Sequence, residues 1–157
     1  MSPKLLWRER VSDLETPVGA YLKLAEGRPN SFLLESVEGG AARGRYSAIG
    51  MAPDLIWRAR GGVAEVNRHA LSAPHAFEPD PRPVMESLAA HIDAVRMALP
   101  PGLPSIAAGL FGYLGYDMVR HMERLPQTKP DVLGIPDAVM MRPTIMAVFD
   151  HVRDALI

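Results

Sequence analysis

Residues Ser31–Gly50, which read SFLLESVEGGAARGRYSAIG, decide the fold because they hold two apolar segments separated by a glycine-rich linker. Short β-prone segments bounded by glycine are typical of strands, and we predict strands over 31–36 and 45–50. The linker over 38–44 is too long for a two-residue turn, so a longer loop is expected to join the two strands.

Other β-prone segments follow along the chain. Two of them flank Gly61-Gly62 and predict a hairpin of residues 54–60 and 63–67. Pro143 interrupts a long apolar segment, and because proline cannot donate to a ladder, we expect a broken strand at a sheet edge or bulge there. The remaining predicted strands cover 105–114, 138–149 and a last segment that begins at 155.

Two amphipathic helices are predicted between these strands. Thr16 and Pro17 are typical of an N-cap and a first helical residue, and the apolar spacing after them indicates a helix over 18–26. The same spacing predicts a longer helix over 84–99, before a proline pair. A short helix is expected over 117–122, and loops over 68–83 and 126–136. Hairpins and separated helices together predict an α+β fold with a mainly antiparallel sheet.

The composition is that of an ordinary globular domain. The 157 residues suffice for one domain with a core, 48% of them are hydrophobic, and the formal net charge is -1. No basic cluster suggests a nucleic-acid partner. The absence of cysteine excludes disulfides and thiolate chemistry. No signal peptide and no apolar run of ~20 residues are present, so we expect a cytoplasmic protein without a membrane partner.

Two motifs that could suggest chemistry are better explained by structure. The stretch Gly109–Asp117, GLFGYLGYD, lacks the spacing of a phosphate-binding loop, which favours close backbone packing at its glycines, with Asp117 capping the next helix. The five histidines show no metal-binding spacing, and His91 is expected to be half-buried on a helix. Asp150 and His151 are adjacent, so in a strand they would face opposite ways, and a turn is favoured over a catalytic dyad.

Glu35 and Ser36 are different, because they come directly after the apolar residues of a predicted core strand. A carboxylate at that position can accept from an ammonium group, and a hydroxyl can donate to a carboxylate. The pair therefore suits an amino acid, with the neighbouring leucines suiting its apolar side chain. The alternative is that Ser36 caps the turn while Glu35 pairs with Arg43 or Arg45.

A family resemblance becomes specific when the motifs are taken together. The stretches ETPVGAYLKL, SFLLESVEGG, GRYSAIG, GLFGYLGYDMVR and AVMMRPTIMAVFDH occur in that order. They resemble the N-terminal part of anthranilate synthase component I, over about residues 15–151. The resemblance implies a lyase of tryptophan biosynthesis that converts chorismate to anthranilate. It also implies ammonia supplied by a glutamine amidotransferase, component II, with Mg²⁺ in the active site and feedback inhibition by tryptophan.

The same resemblance assigns roles to residues of this chain. The serine of LLES implies that Ser36 contributes to an L-tryptophan site, with Glu35 and Leu34 beside it and Tyr46, of GRYS, as a further lining residue. The family's catalytic and Mg²⁺-binding residues lie in a C-terminal chorismate-binding domain outside this sequence. We therefore expect residues 1–157 to be a truncated regulatory domain that contains no catalytic residue and no metal ligand and is inactive alone.

Three further expectations stay open at this point. A homo-oligomer is one expectation, because strands that the C-terminal domain would cover are exposed in this segment. Aminodeoxychorismate synthase component I shares related motifs, and the N-terminal domain of that enzyme is one alternative. A stand-alone amino-acid-binding module is another.

Overall fold

The computed structural model describes residues 5–38, 42–126 and 130–157, except for the side chains of 36–38 and 42–43. Within these ranges it contains α1 (Pro17–Ala25), α2 (Val84–Val95) and two short 3₁₀ helices (Ser105–Ala107 and Tyr116–His121). Its strands are β1 Arg10–Val11, β2 Phe32–Glu38, β3 Ala42–Arg60, β4 Val63–Asn67, β5 Glu78–Asp80, β6 Phe111–Leu114, β7 Ala138–Asp150 and β8 Ala155–Leu156.

These strands form one eight-stranded sheet. Its order is β1-β8-β7-β3-β4-β5, with β2 also paired to β3 and β6 also paired to β7. The pairings whose register is defined are antiparallel. The α+β prediction with a mainly antiparallel sheet is therefore confirmed.

The described chain divides into two compact units, and β3 and β7 each contribute to both. Unit 1 takes the described residues up to Ala52 together with Pro100–Ala107 and Thr144–Ile157. Unit 2 takes Pro53–Leu99 and Ala108–Pro143. Each unit has a hydrophobic cluster of its own, as expected where two sets of residues bury their apolar side chains separately.

The core of unit 1 lies between α1 and the strands β3 and β7. The helix begins as predicted, because Oγ1 of Thr16 accepts from the N–H of Gly19 at 3.0 Å and Pro17 occupies the first turn. The buried alanines of the helix then pack with residues of these strands in one cluster. The buried members of this cluster are Ala20, Ala25, Ile49, Met51 and Phe149.

The core of unit 2 is formed by the β3–β4 hairpin and α2. Arg60 pairs with Val63, and Gly61 and Gly62 have φ values of 55° and 83°, the left-handed conformation that a two-residue turn requires. The predicted hairpin is therefore confirmed. The buried members of this second cluster are Leu55, Trp57, Ala59, Ala64, Val66, Val84, Leu88, Met118 and Ala138.

The two strands predicted over 45–50 and 54–60 are one strand, β3. Between them, Ala52 has a φ of 52°, which is unusual for a residue with a Cβ, and Pro53 follows. Oγ1 of Thr144 donates to the Ala52 carbonyl at 2.7 Å. This contact stabilises an irregular point at which the sequence would otherwise end the strand.

Strand β7 is also continuous, so the predicted break at Pro143 is wrong. β6 pairs with β7 as far as Met141, and β8 pairs with it from Phe149 onward. Pro143 lies in the gap between these two ladders. Because β7 lies between β8 and β3 in the strand order, it is not an edge strand, and the predicted edge position is wrong for this strand.

Several predicted bounds also change. The predicted loop over 68–83 contains β5, whose Pro79 is tolerated because β5 ends the strand order. Residues 105–107 form a 3₁₀ helix, so the strand predicted from 105 begins only at Phe111. Helix α2 ends at Val95 instead of residue 99, because the backbone of Arg96 is extended.

Candidate functional site

The candidate site lies where β2 and β3 lose their regular pairing. Leu33 pairs with Ile49 and Glu35 with Ser47, and the register then shifts before Val37 pairs with Arg43. The backbone of Ser36 lies at this shift, which is a local irregularity of the kind that re-aims side chains near functional sites. The side chain of Ser36 lies outside the described part of the chain.

The structure places the other predicted site residues at different points around this irregularity. Leu34 is 47% exposed and pairs with Ala48, whereas the exposed Glu35 pairs with Ser47. Because consecutive residues of a strand face opposite sides of the sheet, the side chains of Leu34 and Glu35 diverge. Tyr46 is half-buried on the facing strand.

Arg45 joins the start of β3 to the end of β7. Its Nη2 lies 3.0 Å from Oδ2 of Asp150, and its guanidinium carbon lies 4.9 Å from the ring centroid of Tyr46. The hydrogen bond from Arg45 holds the pKa of the Asp150 carboxyl below its usual value, against the opposing effect of burial. The suggestion that Glu35 pairs with Arg45 is therefore not supported, since Arg45 pairs with Asp150.

A second polar contact lies beside the first. Oγ of the buried Ser47 and Nε2 of His151 are hydrogen-bonded 2.8 Å apart, and the His151 ring stacks near Phe149 with ring centroids 6.4 Å apart. Asp150 and His151 thus contact different partners and do not form a dyad. Residues 151–154 form the predicted turn.

Sequence reasoning considered Arg45 only as a partner of Glu35 and missed Ser47, although both are polar residues in an apolar strand. Their spacing of two was a usable signal, because it places both side chains on one face of β3. Their partners lie 105 and 104 residues further along the chain. No local pattern could have identified those partners.

Unit 2 contains a buried polar network with a structural explanation. Nε1 of Trp57 donates to Oγ of Ser87 at 2.9 Å, and that hydroxyl donates to Oδ2 of Asp80 at 2.7 Å. Arg82 donates to both carboxylate oxygens, and its hydrogen bond holds the pKa of Asp80 far below its usual value. His91 is hydrogen-bonded through Nδ1 to the Ser87 carbonyl at 2.8 Å, so its polar atom is used inside the fold.

The glycine motif is a packing motif, as predicted. A Cβ at Gly112 would overlap the backbone carbonyl of Val139, and a Cβ at Gly115 would lie 2.7 Å from the carbonyl oxygen of Asp137. Glycine therefore allows β6 to approach its neighbour closely. The predicted capping role of Asp117 is wrong, because Gly115 is at the N-cap position and Asp117 pairs with Arg120 at 2.7 Å.

Two other kinds of site were searched for in the described ranges. No group of three or more histidine, aspartate or glutamate side chains there could hold a metal ion. None of the helices found in the same residues has the length and apolar character that crossing a bilayer requires.

Comparison with known proteins finds relatives of this chain. No protein-family model matches the chain. It is 51% identical over 150 residues to anthranilate synthase component 1 of Cereibacter sphaeroides, covering 96% of this chain and 30% of that protein. It is 42% identical over 146 residues to the protein of the same name from Thermus thermophilus, covering 93% of this chain and 29% of that protein.

A solved structure agrees with this result at the level of the fold. Anthranilate synthase component I from Streptococcus pneumoniae TIGR4 matches 98% of this chain and 31% of its own, with a TM-score of 0.59 and 23% identity. The chain thus spans about three-tenths of the length of these relatives. The resemblance predicted from the motifs is confirmed: the chain is related to anthranilate synthase component 1 and corresponds to an N-terminal segment of those proteins.

Proposed function

We propose that this chain is the N-terminal segment of an anthranilate synthase component 1 enzyme, a lyase of tryptophan biosynthesis that converts chorismate to anthranilate. The observation that carries the proposal is the 51% identity to such a protein over 150 residues. The ammonia would come from a glutamine amidotransferase partner, component II. As the resemblance implies, Mg²⁺ would be held by another part of the enzyme.

Within that enzyme, the segment would bind the feedback inhibitor L-tryptophan and would contribute no catalytic group. Glu35 would accept from the ammonium group of the inhibitor, Ser36 would donate to its carboxylate, and Leu34 and Tyr46 would contact its ring. Exposure supports this assignment, because Glu35 and Leu34 are both accessible beside the register shift of β2.

The divergence of Leu34 and Glu35 is compatible with one ligand because of where β2 lies. In the described sheet β2 pairs with β3 alone and is therefore an edge strand. A ligand beside an edge strand can reach groups that belong to both faces. The register shift at Ser36 places backbone N–H groups there that are not part of a regular ladder.

The experiment that tests this role uses the full-length enzyme containing this segment. Ser36→Ala should raise the tryptophan concentration that gives half-inhibition, with kcat and the KM for chorismate unchanged. Loss of one hydrogen bond to a charged ligand group costs roughly 1.5–3 kcal/mol, which corresponds to ~10- to 150-fold.

A matched control is Ser31→Ala, at the residue immediately before the same strand. Its hydroxyl already donates to the Arg28 carbonyl at 2.9 Å, so this change should leave inhibition as it is. Unchanged inhibition in Ser36→Ala would exclude the proposed inhibitor contact. Loss of kcat in the same variant would instead place Ser36 in the catalytic machinery.

A further inference from the structure

Four side chains of unit 1, which we call the clamp, hold the start of β3 against the end of β7: Arg45, Ser47, Asp150 and His151. Arg45 binds Asp150 and Ser47 binds His151, at 3.0 and 2.8 Å. The backbone joins the same two segments, because the N–H of His151 donates to the Arg45 carbonyl at 2.9 Å. Three contacts thus act within a few residues of one another.

The clamp is well ordered because its inner groups are buried and fully used. The Asp150 side chain is 2% exposed, and its Oδ1 also accepts from the N–H groups of Val152 and Arg153 at 3.1 and 3.3 Å. Ser47 is fully buried. A buried charge of this kind has few alternative arrangements, since moving it away from its donors would leave it unpaired.

The clamp adjoins the residues proposed to bind the inhibitor. Ser47 is the ladder partner of Glu35, and the Arg45 guanidinium stacks over the Tyr46 ring. Between them the β2–β3 register shifts, so backbone pairing alone constrains this point less than a regular ladder would. The side-chain contacts of Arg45 and Ser47 supply that constraint on the β3 side.

From this arrangement we infer that the clamp positions the inhibitor site, so that Asp150 and His151, which do not themselves touch the inhibitor, set its affinity. The inference rests on the proposed function, since it assumes that β2 binds L-tryptophan beside its register shift. It adds that the turn after β7 is part of the regulatory site. Loosening the clamp should weaken feedback inhibition while leaving turnover of chorismate intact.

The test compares two ways of opening the clamp in the full-length enzyme. Asp150→Asn keeps the shape of the side chain but removes its charge, and Arg45→Gln removes the other partner at a residue whose side chain is 53% exposed. Each should raise the half-inhibitory tryptophan concentration about 2- to 30-fold, the range for residues that act on a site without contacting its ligand. The kcat and the KM for chorismate, measured without tryptophan, should stay within about twofold, as expected when the interaction lost is not made with the transition state.

A double variant makes the test specific to the contact. If Arg45 and Asp150 act as one unit, the double variant should be no more resistant to tryptophan than the stronger single variant. Fully additive effects would overturn the inference. If Asp150→Asn does not fold, Arg45→Gln and Ser47→Ala still test the inference, because each of them removes one contact of the clamp.

A matched control removes a similar ion pair that also joins β3 to β7, but in unit 2. Nε and Nη2 of Arg142 lie 2.7 and 2.9 Å from the two carboxylate oxygens of Asp54. Asp54→Asn should leave inhibition unchanged. Equal resistance to tryptophan in this variant would overturn the inference. It would show that removing any ion pair between β3 and β7 weakens inhibition, whether or not the pair belongs to the clamp.

The outcome for Ser36→Ala separates the two proposals. If Ser36→Ala becomes resistant to tryptophan and the clamp variants do not, the inference fails and the proposed function stands. If Ser36→Ala and the clamp variants are all inhibited normally, the proposed inhibitor site itself fails and the inference fails with it.

Discussion

Asp80 in unit 2 and Asp150 in unit 1 are both nearly fully buried carboxylates held by an arginine, yet they stabilise different things. Asp80 is held by Arg82, two residues further on, and Asp150 by Arg45, 105 residues earlier. The Asp80 pair therefore fixes one turn before α2, whereas the Asp150 pair joins segments that are distant in the sequence. An aspartate–arginine pair thus stabilises a local turn in unit 2, whereas in unit 1 it joins two segments that are far apart in the sequence.

The two carboxylates also differ in what lies behind them. Asp80 accepts from Ser87, whose hydroxyl in turn accepts from Trp57 in the core of unit 2. Asp150 accepts instead from backbone N–H groups of the turn that follows it. Loss of Asp80 should therefore disturb a core cluster, while loss of Asp150 should mainly release a strand end.

The largest expected effect is on stability when each carboxylate is removed. Asp80→Ala should lower the free energy of unfolding by about 3 kcal/mol, because it leaves Ser87 and the arginine without a buried acceptor. Asp150→Ala should lower it by about 2 kcal/mol, since its hydrogen bonds are longer and its turn can reach water. Urea unfolding followed by circular dichroism measures both.

An exposed pair supplies the reference for this measurement. Lys23 contacts Glu15 at 2.6 Å, with both side chains more than one-third exposed. Glu15→Ala should change the free energy of unfolding by no more than ~0.5 kcal/mol. A cost for Asp80→Ala as small as this reference would mean that the unit 2 network does not contribute to stability.

The next effect is the acid dependence of stability. In the folded protein the pKa values of Asp80 and Asp150 lie below their usual value because of the arginine hydrogen bonds, while in the unfolded chain they return to about 3.9. The unfolded state therefore binds these protons first as the pH falls. The stabilisation is complete above the unfolded pKa and is lost as the pH drops below it.

Replacing either aspartate with asparagine should make the free energy of unfolding depend less on pH in this acid range. The change should be greater for the carboxyl whose pKa is shifted more. Unfolding free energies measured between about pH 5 and pH 2 should fall less steeply in Asp80→Asn than in the parent chain, with Asp150→Asn between them. Parallel curves for all three chains would show that neither carboxyl titrates differently in the folded and unfolded states.

The comparison also explains how much of the fold could be predicted. The β3–β4 hairpin and the start of α1 depend on residues next to one another, Gly61-Gly62 and Thr16-Pro17, and both predictions are confirmed. The continuity of β3 could not be predicted, because Ala52 takes a left-handed conformation that only contacts with other parts of the fold stabilise. Strand β7 was misjudged for a related reason, since the effect of Pro143 depends on which neighbours pair beside it.

The candidate site could also be predicted only in part. The polar residues of β2 were visible in the sequence because Glu35 and Ser36 directly follow an apolar run. The neighbours that surround it were not, since the pairing of Ser47 with Glu35 follows from strand register and that of Arg45 with Asp150 from the path of the whole chain. Local chemistry could therefore suggest a ligand, but not the groups that hold the site in place.

The last comparison concerns the two fully buried serines: Ser87 is hydrogen-bonded to Asp80, and Ser47 belongs to the clamp. Ser87→Ala should lower the free energy of unfolding by about 2 kcal/mol, because the indole N–H of Trp57 would be buried without an acceptor. Ser47→Ala should cost about 1 kcal/mol, since the partly exposed His151 can turn to water instead.

A double-mutant cycle distinguishes this explanation from a simple loss of packing. Trp57→Phe removes the indole N–H, so Ser87→Ala should be less costly in that background than in the parent chain. The same Trp57→Phe change should not alter the cost of Ser47→Ala, because Ser47 belongs to the other unit. Equal costs of Ser87→Ala in both backgrounds would show that its hydroxyl stabilises unit 2 through Asp80 alone, and the core connection drawn between Asp80 and Trp57 would then be wrong.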